Sequence, residues 1–181
     1  MEPKEHESIE NYATRLLLQI NSEKPILIGL SFGGMMAVEV SKQIETEKII
    51  LISSAKTKNE IPFYYRLAGK TQIHKLLPTV LLKKSNFLTN WLFGANSTTE
   101  KQLLKQILKD TDSKFLKWAI HKIVNWSNTT QNENIFHIHG TKDKILPLRF
   151  VKCNRKVIDG GHLMTLNKAE ELNIIIKEHL R

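Results

Sequence analysis

The sequence predicts an α/β fold, a mostly parallel sheet with helices on both faces and a helical cap inserted between strands. Three observations carry this reading. A strand, a helix and a second strand follow one another between Pro25 and Ser53. A long stretch from Ser54 to about Asn134 then carries helical signals only, after which two short strands and a helix close the chain. Strand and helix in alternation are the pattern of βαβ units, whose strands pair in parallel.

The elements follow in order. Ile9, Tyr12, Ala13, Leu16, Leu17 and Ile20 recur at steps of three and four, one buried face of a helix that Ser8 caps. Pro25 to Leu30 is a short, continuously apolar run, as expected of a parallel strand covered on both faces. It ends at Gly29-Leu30-Ser31-Phe32-Gly33-Gly34, and a helix is expected from Phe32 to about Ile44. Lys48 to Ser53 is the next strand, with Ile49, Ile50, Leu51 and Ile52. In the helical stretch, Ser97-Thr98-Thr99-Glu100 reads as a capping box ahead of Leu103, Leu104, Ile107 and Leu108. Leu116, Ala119, Ile120, Ile123 and Val124 mark another helix. Ile135 to His139 and Lys156 to Ile158 resume short strands, and Lys168 to Leu180 is an amphipathic helix. Residues 1–181 read as one domain, with the cap at roughly 57–130.

Composition bounds the function. A hydrophobic share of 41% over 181 residues suffices for a packed core. No apolar run approaches the roughly 20 residues of a membrane-spanning helix, and the polar N-terminus does not resemble a signal peptide, so no membrane partner is expected. The lone Cys153 fits a reducing compartment, and the expected location is cytoplasmic. The net charge of +9 rests on 27 Lys and Arg against 18 Asp and Glu. Most are lysines spread along helical segments, which reads as solvated helix faces rather than a nucleic-acid site. A basic mouth attracting acidic substrates is the other use of such charge.

Gly29-Leu30-Ser31-Phe32-Gly33 matches G-x-S-x-G, which chance gives in about one chain in twenty of this length. Its position between a buried strand and a helix makes it specific, because the motif works as a sharp turn holding a serine hydroxyl above the sheet. A phosphate-binding turn is the competing reading. Neither glycine-rich nucleotide fingerprint is present, and Ser53 and Ser54 stand where an acidic residue would end the next strand.

Two later turns complete a pattern. His139-Gly140-Thr141-Lys142-Asp143, followed by Leu146-Pro147, ends one strand, and Asp159-Gly160-Gly161-His162 ends the last. With the serine turn, in the order nucleophile, acid, histidine, the chain resembles the α/β-hydrolase family over nearly its whole length, and specifically a small serine esterase or lipase. The resemblance implies a partial α/β-hydrolase fold with Ser31 as nucleophile, Asp143 as acid and His162 as general base. It also implies a small-molecule acyl substrate and no cofactor. A serine hydroxyl attacks well only when an imidazole takes its proton and a carboxylate orients that imidazole. Asp159 is the rival acid, three residues from His162. His137 and His139 alternate on one strand face but lack a third metal ligand with recognisable spacing, so no metal site is expected. His139 is expected to fix the turn ahead of Asp143, and His6, His74, His121 and His179 are expected at the surface. Trp91, Phe93, Trp118 and Trp126 read as core or as walls of an acyl pocket.

Phe32 N–H is the expected first oxyanion donor. Such enzymes use a second from a glycine-containing loop after an earlier strand, yet residues 1–24 contain no glycine. The expectation is therefore a shortened hydrolase whose first strands and second donor lie upstream of Met1. The alternative to an active hydrolase is a catalytically impaired one, or a non-catalytic binding module.

Overall fold

The computed structural model describes residues 1–180. Helix α1 (Ile9–Leu17) starts at Ser8, whose hydroxyl accepts Asn11 N–H at 3.1 Å. Strand β1 (Ile26–Leu30), helix α2 (Phe32–Ser41) and strand β2 (Lys48–Ile52) form the expected βαβ unit. Between β2 and the next strand lie a 3-10 turn (Lys58–Glu60), α3 (Phe63–Lys70), a second 3-10 turn (Ile73–Leu76), α4 (Thr79–Leu82), α5 (Phe87–Phe93), α6 (Thr98–Asp110) and α7 (Ser113–Val124). Strand β3 (Ile135–Gly140), a 3-10 turn (Leu148–Phe150), β4 (Arg155–Val157) and α8 (Ala169–Leu180) end the described chain.

The four strands are parallel and lie in chain order, β1-β2-β3-β4. Their faces are packed by different helices. Ile49, Leu51 and Ile135 point toward Tyr12 of α1 and Met35 and Val38 of α2. Ile50, Ile52, Ile138 and Val157 point the other way, onto Met164 and onto Leu172 and Ile175 of α8. This two-sided burial explains why β2 is apolar without alternation.

Strand β1 departs from the expectation of cover on both faces. It is an edge strand, and Ile28 is 53% exposed and Ile26 39%. The register sets Ile28 beside Ile50, on the face that α8 covers. The cluster under α8 draws its buried strand residues from β2, β3 and β4, and from β1 only the partly buried Leu30 joins it, so Ile26 and Ile28 are left outside it. The helix after β1 also ends at Ser41 rather than near Ile44, and the last strand spans Arg155–Val157 instead of Lys156–Ile158.

In the helical stretch, side-chain caps set the boundaries. Asn86 Oδ1 accepts Thr89 N–H at 2.9 Å ahead of α5, and Asp112 Oδ1 accepts Phe115 N–H at 2.7 Å ahead of α7. The predicted capping box at α6 forms in a variant shape. Ser97 Oγ accepts Glu100 N–H at 3.2 Å, while Glu100 reaches back to Asn96 N–H at 2.8 Å instead of to the N–H of Ser97.

His74 corrects another expectation, because it is buried rather than exposed. The turn carrying it folds against α3 and α7, and its Nδ1 lies 3.0 Å from Ala68 O and its Nε2 2.9 Å from His121 Nδ1. His6 is exposed, whereas His121 and His179 are half-buried, His179 being stacked on Phe136 with 3.9 Å between ring centres.

Candidate active site

Ser31 sits between the end of β1 and the start of α2 with φ 51° and ψ −120°, a left-handed backbone that costs about 1–3 kcal/mol for a residue with a Cβ. Neighbouring bonds hold it there. Its N–H donates to Ile52 O at 2.9 Å, and its carbonyl accepts Ser54 Oγ–H at 2.7 Å and Gly34 N–H at 3.0 Å. A side chain on Gly29 would place its Cβ 2.4 Å from Gly33 O, so the helix can approach the strand only over a glycine. Gly34 meets Ser54 in the same way, whereas a Cβ on Gly33 would meet nothing within 4 Å. The close packing that shapes this turn therefore rests on Gly29 and Gly34, and Gly33, though part of the motif, is spatially free.

Asp143 and His162 stand on the turns after β3 and β4. Gly140 lets those turns touch, since a Cβ there would lie 2.3 Å from Gly160 O, and Lys142 N–H bonds to that same carbonyl at 2.9 Å. Asp143 Oδ1 accepts the N–H groups of Ile145 at 2.9 Å and Leu146 at 2.8 Å. Its Oδ2 is 2.8 Å from His162 Nδ1, and His162 Nε2 is 2.8 Å from Ser31 Oγ. The three predicted site residues thus form one hydrogen-bonded line, with Asp143 and His162 both buried. Asp159, the rival, turns outward with φ 60° and pairs with Lys142 at 2.8 Å in solvent.

Phe32 heads α2, so its N–H is one of the first-turn amides without an intrahelical acceptor. His139 Nε2 lies 2.7 Å from Leu146 O, which makes it a donor there, and 3.5 Å from Asp143 Oδ2. The ring thereby tethers the acid's turn at a second point. Burial holds His139 below its ordinary pKa. His137 is fully buried with both ring nitrogens unpartnered, and burial pushes its pKa down to about 3.

Beside Ser31 lies a small cavity of about 50 Å³ walled by Phe32, Met35, Ala55, Ile61, Tyr65 and Ile123 among others. The aromatic residues singled out in the sequence are not among those walls. Phe93 instead stands edge-on to the His162 ring at 5.8 Å, and its carbonyl accepts Leu163 N–H at 3.1 Å. Trp126 is buried and donates to Glu39 Oε1 at 2.7 Å, Trp118 packs on Phe32 at 5.7 Å, and Trp91 lies under the Lys144 ammonium at 4.2 Å. Sequence reasoning missed the contact of α5 with the histidine turn. Its signal is Gly94, at φ 77° just past that helix, where a Cβ would lie 3.0 Å from Gly161 Cα.

No family model and no curated protein matches the chain. Solved structures do. The N-acyl homoserine lactonase AidH, bound to N-hexanoyl homoserine, superposes with a TM-score of 0.64 at 15% identity, covering 96% of this chain and 70% of its own. The meta-cleavage product hydrolase CumD of Pseudomonas fluorescens gives 0.66 at 15%, covering 98% and 74%. A thermophilic esterase from Thermogutta terrifontis gives 0.61 at 17%, covering 97% and 72%. At such identities the likeness is one of architecture. No helix among the described residues is long and apolar enough to cross a membrane. A parallel sheet in this order, with a serine turn after β1 and carboxylate and imidazole turns after β3 and β4, agrees with these likenesses in giving the chain the α/β-hydrolase fold.

Proposed function

We propose that the protein is a serine hydrolase that cleaves a carboxylic ester or related acyl bond of a small molecule through an acyl-enzyme on Ser31. One observation carries the reading, the line Asp143 Oδ2, His162 Nδ1, His162 Nε2, Ser31 Oγ with 2.8 Å at each contact between residues. With Nδ1–H donated to the carboxylate, Nε2 presents its lone pair to the Ser31 hydroxyl. His162 then takes the proton as Ser31 Oγ attacks the acyl carbon, and Asp143 stabilises the resulting imidazolium. Phe32 N–H, aided by the positive end of α2, faces the charge that develops on the acyl oxygen. The proton on Nε2 passes to the leaving alcohol, and the same imidazole activates water to release the acid. The lone, half-buried Cys153 supports a reducing compartment such as the cytoplasm for this activity.

Reaction with a fluorophosphonate tests the proposal. Ser31 is expected to be labelled, and labelling to vanish in Ser31→Ala while the far-ultraviolet spectrum stays unchanged. Folded protein that takes no label would overturn the assignment. A second reading, a hydrolase fold impaired in catalysis or used only for binding, is favoured by the edge position of β1, the strand that delivers Ser31. Under that reading, Ser31 reacts no faster than an exposed serine of the same chain.

A further inference from the structure

A second cavity, of about 480 Å³, opens between the segment ahead of α1, the turn Ile73–Leu76 and helices α4 and α7. It shares no lining residue with the cavity at Ser31. Its charged lining is basic throughout, with Lys75, Lys117 and Lys122 beside His74, His121 and His6. None of the ion pairs among the described residues involves those three lysines. The Lys75 ammonium bonds to the neutral Gln72 Oε1, at 2.8 Å, and Lys122 rides over the Trp118 ring at 5.8 Å. Among the described ion pairs, the one that reaches a lining residue joins His6 to Glu5 at 3.6 Å, with both side chains in solvent. The remaining walls are apolar, from Leu82, Trp118 and Ile120.

The two inner histidines are arranged to add a donor. His74 Nδ1 lies 3.0 Å from Ala68 O and so carries its proton, which leaves His74 Nε2 to accept from His121 Nδ1–H at 2.9 Å. Asn125 Nδ2 also approaches His121 Nδ1, at 3.3 Å, but donates more closely to His121 O at 2.9 Å. His121 Nε2 then keeps a free lone pair. Burial, then the charges of His74, Lys122 and Lys75, hold His121 below its ordinary pKa. An anion in the cavity would oppose the charge part of that balance and favour Nε2–H as a further donor.

We infer that this cavity binds a small organic phosphate, its anionic group held by Lys75, Lys117, Lys122 and His121 and its apolar body lying on Leu82, Trp118 and Ile120. Several unpaired cations around one space suit a multiply charged anion better than a single carboxylate, and the apolar wall distinguishes an ester from inorganic phosphate. The inference does not depend on the chemistry of Ser31.

Phenyl phosphate, inorganic phosphate and benzoate are titrated into the full chain, following the His121 ring by NMR and tryptophan fluorescence. Phenyl phosphate is expected to saturate, to bind more tightly than either of the others, and to raise the pH midpoint of His121. Lys117→Gln with Lys122→Gln is expected to weaken it by about tenfold or more. Lys101→Gln with Lys105→Gln, on the exposed face of α6, removes the same charge elsewhere and is expected to leave affinity unchanged. Equal losses in the two double variants would reduce the effect to net charge and overturn the site. So would absence of saturation, benzoate binding as well as phenyl phosphate, or binding that leaves His121 unmoved.

Discussion

The carboxyl end of the sheet and the helical stretch between β2 and β3 are built on opposite terms. At the sheet end, polar groups are buried and fixed from several sides: Asp143 accepts two backbone N–H groups and faces two histidines, and Ser31 is pinned by Ile52, Gly34 and Ser54. In the helical stretch, the helix starts are set by local bonds from Asn86, Ser97 and Asp112 to residues three ahead, longer-range bonds join single pairs such as His74 with His121 and Trp126 with Glu39, and Leu76, Val80 and Phe87 stay exposed. The difference teaches where a change will be felt. Substitutions of the close-packed glycines at the sheet end act on the turn of Ser31 and on the fold together, whereas loss of a helix cap in the helical stretch acts first on its own helix.

The largest contrast lies in function. On the proposed function, Ser31→Ala is expected to lower esterase turnover of an activated ester by at least about 10³-fold while the urea midpoint stays near that of the parent, because the Ser31 hydroxyl bonds only to His162 and the turn is held by backbone contacts. A parallel collapse in stability would show that the turn depends on the hydroxyl itself. In stability the order changes. Gly29→Ala forces a Cβ to 2.4 Å from a backbone oxygen and is expected to cost roughly 3 kcal/mol or more by urea unfolding. Gly33→Ala meets open space inside α2 and is expected to stabilise by about 0.5–1 kcal/mol. Equal effects would mean the turn is set by the motif as a whole rather than by the two close contacts.

Acid sharpens the comparison next. His137 has its folded pKa lowered to about 3, against an ordinary value near 6.5 in the unfolded chain. Unfolding therefore takes up a proton between those limits, so this contribution is fully present above about pH 6.5 and is lost as the pH falls toward 3. The slope this one group adds is about 1.4 kcal/mol per pH unit, and it is expected to disappear in His137→Leu when denaturation is followed from pH 6 to pH 4. An unchanged slope in that variant would locate the acid sensitivity elsewhere.

The smallest effects belong to the helical stretch. Asp112→Ala removes the cap of α7 and Asn86→Ala that of α5, each for about 1 kcal/mol by thermal unfolding. Both are expected to slow fluorophosphonate labelling of Ser31, Asn86→Ala because α5 leads through Phe93 and Gly94 to the turn of His162 and Asp112→Ala because Ile123 of α7 walls the cavity beside Ser31. Labelling at the parent rate in either variant would sever that helix's link to the site.

Much of this was legible in the chain. Continuous apolar runs exposed the strands, three- and four-residue periods exposed the helices, and the order of the three turns brought Ser31, Asp143 and His162 together as candidates. The reading erred where neighbours decide. Pro25 to Leu30 is as apolar as Lys48 to Ile52, yet β1 is half-exposed, because burial of a strand depends on which helices lie over it. His74 looked like a surface residue because nothing adjacent in sequence shows that its turn folds onto α7.

The sequence by itself determined the element types and the identity of the candidate triad, since periodicity, glycine spacing and turn chemistry act over a few residues. Tertiary structure alone decided which acid faces His162, which motif glycines are needed, and that lysines and histidines from three separate segments surround one cavity. Those outcomes depend on distances between segments far apart in the chain, which packing fixes and local pattern does not carry.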